Sequence, residues 1–150
     1  MFPTAEPGLG RPASPGGASP TAGAPVPADG TARRGEPASS EDLQIAGLVP
    51  LSTLDWPGKL SAVVFCQGCP WDCGYCQNAS LRACDMPGIV EWAGVMELLR
   101  RRRGLLDGVV FSGGEATRQD ALVPAMEDAR ELGFGVALHT AGAYPRRLAE

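Results

Sequence analysis

Ser61-Ala62-Val63-Val64-Phe65-Cys66 runs directly into Gln67-Gly68-Cys69-Pro70-Trp71-Asp72-Cys73-Gly74-Tyr75-Cys76, and most of the architecture follows from that junction. The first six residues are mainly apolar and do not alternate, as in a strand buried on both faces of a parallel sheet. The second part places Cys69, Cys73 and Cys76 at C-x3-C-x2-C spacing on a loop leaving the strand's carboxyl end. Structural zinc takes four ligands, so these thiols do not close a zinc site unaided. They can hold three irons of a cubane iron–sulfur cluster. Such clusters normally use four thiolates, so the fourth iron would be open to another molecule.

A rival reading adds Cys66. Cys66-x2-Cys69 and Cys73-x2-Cys76 make two C-x2-C pairs, a zinc-like count, and would describe a four-cysteine binding module. Only Pro70, Trp71 and Asp72 lie between the pairs, where zinc ribbons place about a dozen residues or more. Cys66 also belongs to the apolar run, and a buried free cysteine behaves as a small hydrophobe. Cys84 reads as an unligated thiol. The chain has five cysteines and no export signal, which points to a reducing, cytoplasmic setting and to metal or redox use rather than disulfides.

Downstream of the loop the pattern alternates helix and strand. Trp92, Val95, Met96 and Leu99 form one apolar stripe of a helix over about Val90 to Arg103, with Gly104 placed to cap it. Gly108 to Phe111 is a second buried strand, ending in Ser112-Gly113-Gly114-Glu115. A helix over Ala121 to Leu132 follows, with Asp120 as N-cap, Pro124 in its first turn and Gly133 at its end. Phe134 to His139 is a third strand, followed by Thr140-Ala141-Gly142 and a helix starting near Tyr144. Upstream, Ile45 to Leu51 reads as a strand that Pro50 confines to a sheet edge. Leu54-Asp55-Trp56-Pro57-Gly58 supplies a turn.

Strands alternating with helices imply right-handed crossovers and a parallel sheet, an α/β fold. Ligands bind such sheets beyond the carboxyl ends of their strands. The thiols, Gly113-Gly114-Glu115 and His139-Thr140 all fall on that edge. Three strands do not close a barrel, so residues 43–150 are expected to be the N-terminal portion of a larger, truncated domain, inactive alone.

Residues 1–42 hold 8 of the 14 prolines and 7 of the 20 glycines. Such a segment buries too little apolar surface to offset its ordering entropy and is expected to be a disordered tail. A net charge of −4, from 13 basic and 17 acidic residues, leaves no broad electrostatic footprint for nucleic acid. Arg100 to Arg103 complement a helix C-terminus. No run is long and apolar enough for a membrane.

With these residues in view, the chain resembles the radical S-adenosylmethionine superfamily. The cysteine triplet, with aromatic Tyr75 before its last member, matches that cluster signature, and Ser112-Gly113-Gly114-Glu115 resembles a second motif. Leu54-Asp55-Trp56-Pro57-Gly58, Val64-Phe65-Cys66-Gln67-Gly68-Cys69-Pro70 and Cys76-Gln77-Asn78 look like the glycyl-radical-enzyme activases. Among these the chain is most similar to the activating proteins of anaerobic ribonucleoside-triphosphate reductase, over Ile45 to the end. Trp56 and Gln77 stand where pyruvate formate-lyase activases more often have Gly and His.

The resemblance implies a partial (β/α) barrel with a 4Fe-4S cluster on Cys69, Cys73 and Cys76 and S-adenosyl-L-methionine on its open iron. It implies cofactor contacts from Tyr75, Gln77, Gly113, Gly114 and Glu115, with Glu115 facing the amino group. It further implies an oxidoreductase that makes a glycyl radical on a partner enzyme, the large subunit of anaerobic ribonucleotide reductase, using a flavodoxin- or ferredoxin-type electron donor. A pyruvate formate-lyase-type activase, or another radical enzyme, is the alternative. Neither a nucleic acid nor a membrane partner is expected. His139 or Thr140 could also reach the cofactor, and Asp55 and Trp56 could shape either a partner face or simply the turn.

Overall fold

The computed structural model describes residues 37–149. Residues 1–36 of the expected tail lie outside the described residues. The end of that stretch is structured: Ser40–Asp42 forms a 3-10 turn. The backbone N–H of Ser39 donates to Asp42 at 3.0 Å, and the turn packs against the helices.

Four strands form one sheet in chain order: β1 (Ile45–Ser52), β2 (Ser61–Cys66), β3 (Gly108–Gly113) and β4 (Gly135–Leu138). Helix α1 (Trp92–Arg101) connects β2 to β3, and α2 (Leu122–Glu131) connects β3 to β4. The pairs β2–β3 and β3–β4 are parallel, with Val63 beside Val110 and Val110 beside Ala137. β1 runs antiparallel to β2, so the sheet is parallel except at this edge. Pro50 sits where the register slips between Val49 and Ser52, a place where a missing N–H costs no ladder bond.

The strand period of two sorts the sheet into faces. Ala62, Val64, Cys66, Val109 and Phe111 join the core under both helices, meeting Trp92, Val95 and Leu99 of α1 and Leu122, Ala125 and Ala129 of α2. Trp92 is fully buried, its ring 6.0 Å from that of Phe111 and its indole N–H on Asp128 at 2.8 Å. That bond satisfies the one polar atom of a side chain whose burial contributes about 2–3 kcal/mol. Val63 and Val110 lie on the opposite face. There the Trp56 ring covers Gly108 and Gly135; a methyl group on Gly108 would stand 2.6 Å from it. Trp56 is therefore a packing residue, and it requires those two glycines.

Several element ends differ from expectation. Val90 is not helical: Ile45 O accepts from both Ile89 N and Val90 N, holding the segment extended. Asp120 is not the N-cap of α2, which follows Ala121 without a side-chain cap. Its carboxylate is instead drawn 2.5 Å from Arg147. Gly133 does end α2, at φ +90°. Gly133 N donates to Arg130 O and Phe134 N to Ala129 O, the paired bonds of a Schellman closure. In place of a helix from Tyr144, the described chain has a 3-10 turn at Arg147–Ala149.

Candidate functional site

The cysteine loop leaves β2 through a clasp of three glutamines. Gln119, just before α2, donates from Nε2 to Gln44 O (2.9 Å) and Gln67 O (3.1 Å), and its Oε1 accepts from Gln44 N (2.7 Å). Gln67 in turn donates to Ala83 O at 2.8 Å. Glutamine suits this joint because one side chain carries both donors and an acceptor. The returning arm closes the base: Gly68 N donates to Leu81 O and Cys69 N to Arg82 O. Sequence reasoning gave none of the three glutamines this role: Gln44 and Gln67 flank apolar strands and Gln119 precedes α2, positions that carry no local signal of the joint.

Above that base the thiols of Cys69, Cys73 and Cys76 are half-buried on successive turns. Arg82 pairs with Asp72 across the loop. Burial, opposed by a hydrogen bond from the Trp71 backbone, pushes the Cys69 thiol up from its ordinary value. Among the described residues, no three His, Cys, Asp or Glu side chains are gathered as a metal ion would need. The loop's three thiols suit a cluster in number and softness, but they are not assembled as a finished cage. The Cys84 thiol donates to the carbonyls of Cys69 and Arg82, both at 3.6 Å.

Cys66 differs from the other thiols. It is fully buried in the core under the helices, and burial, with the charge of Glu115 second, pushes its thiol up from 9.0 to about 12. A thiolate ligand is the opposite of what this pocket favours. The neutral thiol suits the fold, so its stabilisation is full below pH 9 and is lost as pH rises towards 12. Unfolding free energy should fall by about 1.4 kcal/mol per unit over that window. Urea titrations above pH 9 check this: Cys66→Ala should remove that part of the slope.

The end of β3 is pressed onto this base. A methyl group on Gly113 (φ +111°) would stand 2.4 Å from Cys66 N, and one on Gly114 2.4 Å from Gly68 O. Gly114 N donates to Cys66 O at 2.9 Å and Glu115 N to Gly68 O at 2.8 Å, continuing the β2–β3 contact into the loop. The side chain of Glu115 turns inward and is fully buried. Its Oε1 accepts from Thr117 N (3.3 Å), Thr117 Oγ1 (2.5 Å) and Thr140 Oγ1 (2.6 Å), and its Oε2 from Ala141 N (2.9 Å).

Thiols, glycines and the β4 end thus meet on one edge, as the sequence placed them. Tyr75 is 87% exposed, and Gln77 is exposed on the same loop. His139 is exposed, its N–H on Phe111 O at 2.8 Å. Asp55 accepts from Ser52 Oγ and serves the turn. Arg101 lies 3.7 Å from Glu97, and Arg103 donates to Leu132 O, so the arginine run finishes a helix. No described helix is long and apolar enough to cross a membrane.

The structure is thus a mostly parallel α/β sheet with three thiols on the loop after its first parallel strand. The same arrangement emerges from comparison: residues 63–150 match the family described as the Radical SAM superfamily. The chain belongs to that superfamily. It is 38% identical over 108 residues to a protein of Methanocaldococcus jannaschii provisionally named a glycyl-radical enzyme activating enzyme, covering 71% of this chain and 43% of that protein. It is 33% identical over 106 residues to the pyruvate formate-lyase-activating enzyme of Clostridium pasteurianum, covering 66% and 43%. The chain thus spans less than half the length of either relative. Among solved structures it is similar in fold to QueE from Escherichia coli, with a TM-score of 0.53 at 19% identity, over 67% of this chain and 52% of that one.

Proposed function

We propose that the chain carries the cluster-binding half of a glycyl-radical-enzyme activase, serving anaerobic ribonucleoside-triphosphate reductase. The single observation behind this is the division of the cysteines: Cys69, Cys73 and Cys76 on the loop, Cys66 sealed in the core. The superfamily implies a 4Fe-4S cluster and S-adenosyl-L-methionine, and the three loop thiols are the residues that would hold the cluster. Held by those thiols, the cluster would supply the one-electron reduction that cleaves S-adenosylmethionine, drawing its electron from a flavodoxin- or ferredoxin-type donor, for hydrogen abstraction from a partner's glycine. The chain's own part is to orient and to exclude water. Tyr75 and Gln77 offer an aromatic face and an amide from the cysteine loop, and Gly113 and Gly114 let the β3 end approach without side chains. Glu115 contributes through the hydrogen bonds it holds.

Both activase relatives support the class. Gln77, in place of the more usual His, supports the reductase branch; the Clostridium relative favours pyruvate formate-lyase as the second reading. Anaerobic reconstitution with iron and sulfide should give a brown, oxygen-sensitive protein whose reduced paramagnetic signal changes on adding S-adenosylmethionine. A colourless protein holding one zinc would overturn it. A peptide of the reductase's glycine loop should then bind more tightly than the lyase's.

A further inference from the structure

The regular β3–β4 ladder stops at Phe111 beside Leu138, with one more bond from His139 N to Phe111 O. Beyond that point the two strand ends could splay. They are tied instead by Glu115, which takes hydrogen bonds from Thr140 Oγ1 at 2.6 Å and Ala141 N at 2.9 Å. The same hydroxyl accepts from Gly142 N at 2.9 Å. A hydroxyl has one proton to give, and here it goes to the carboxylate while a lone pair holds the turn. Thr117 supplies two further donors, N at 3.3 Å and Oγ1 at 2.5 Å, so four hydrogen bonds from the described residues hold the carboxylate. With no exposed surface, that carboxylate has no face open to a ligand.

We propose that Glu115 and Thr140 form a latch that sets the 140–142 turn on the ligand edge. Glu115 then supports S-adenosylmethionine binding by position, without touching the cofactor. Both are positioning residues, and their effect on the cofactor rests on the activase reading above. Charge-assisted hydrogen bonds to a buried carboxylate are among the stronger ones available, so the turn's place is firmly coupled to it.

Two measurements on the full chain test this. In the first, Glu115→Gln should leave the β3 amides protected against hydrogen exchange while Ala141 and Gly142 exchange at least about tenfold faster, as for a lost local closure. Unchanged protection at both amides would overturn the latch. In the second, on iron-reconstituted protein, Thr140→Val should weaken S-adenosylmethionine binding about tenfold with iron content unchanged, and Thr140→Ser should restore it. If Thr140→Val binds like wild type while Glu115→Gln does not, the carboxylate touches the ligand directly and the proposal is wrong. It is equally wrong if Thr140→Ser fails to restore binding. Wild-type protein that takes up iron but no S-adenosylmethionine would sink the activase reading and leave the exchange result standing.

Discussion

Cys73→Ala should strip iron from the reconstituted protein, and Cys66→Ala should leave it in place. Cys73 stands half-buried on the loop, within electrostatic reach of Cys69. Losing a direct ligand should exceed the roughly 10- to 100-fold loss in metal affinity seen when only an outer partner of a ligand is removed. Cys66 is buried in the same core cluster as Ala62, Val64 and Phe111, with its thiol held neutral. Replacing it removes one packed sulfur, for about 1 kcal/mol of stability and no ligand. Iron and sulfide per chain, with the cluster's visible absorption, decide the matter. Equal loss in both variants would make Cys66 a fourth ligand and restore the four-cysteine zinc module.

Gly114→Ala carries the largest expected effect on the fold. The added carbon would stand 2.4 Å from Gly68 O and 3.0 Å from Leu81 O. Both are backbone atoms fixed by their own hydrogen bonds, Glu115 N to Gly68 O and Gly68 N to Leu81 O. Neither can swing aside as a side-chain tip would. The loop base must therefore shift, at about 3 kcal/mol or more, a large part of the roughly 5–15 kcal/mol that holds a domain folded. Gly94→Ala is the contrast. It lies in α1 with nothing within 4 Å, so alanine should stabilise by about 0.5–1 kcal/mol. Denaturation midpoints of the two variants should move in opposite directions. A Gly114→Ala protein as stable as wild type would show that β3 does not press on the loop as described.

These two glycines show how far local chemistry can be read. Gly94 sits on the exposed side of a helix whose apolar stripe is periodic, and its cost to that helix follows from its position alone. Gly113 and Gly114 were legible as sites of close approach, but what approaches is the chain's own cysteine loop, brought there by the β2–β3 register. Glu115 was legible as a chemical group at the right edge. Its inward direction depends on Thr140 and Ala141, which reach it only after α2 and β4 have been placed.

By itself, the sequence determined the strands, the two crossover helices, and the edge on which the thiols and the Gly-Gly-Glu turn meet. Those features rest on apolar runs, periodicity and short spacings, which act between neighbours in the chain. Only the tertiary structure decided that β1 runs antiparallel, that Cys66 faces the helices, and that Trp56 caps two glycines. It also decided that Gln119 closes on Gln44, 75 residues away. Such contacts depend on which face of the sheet the helices cover and which backbone atoms then lie within hydrogen-bonding distance, and no stretch of neighbouring residues contains that information.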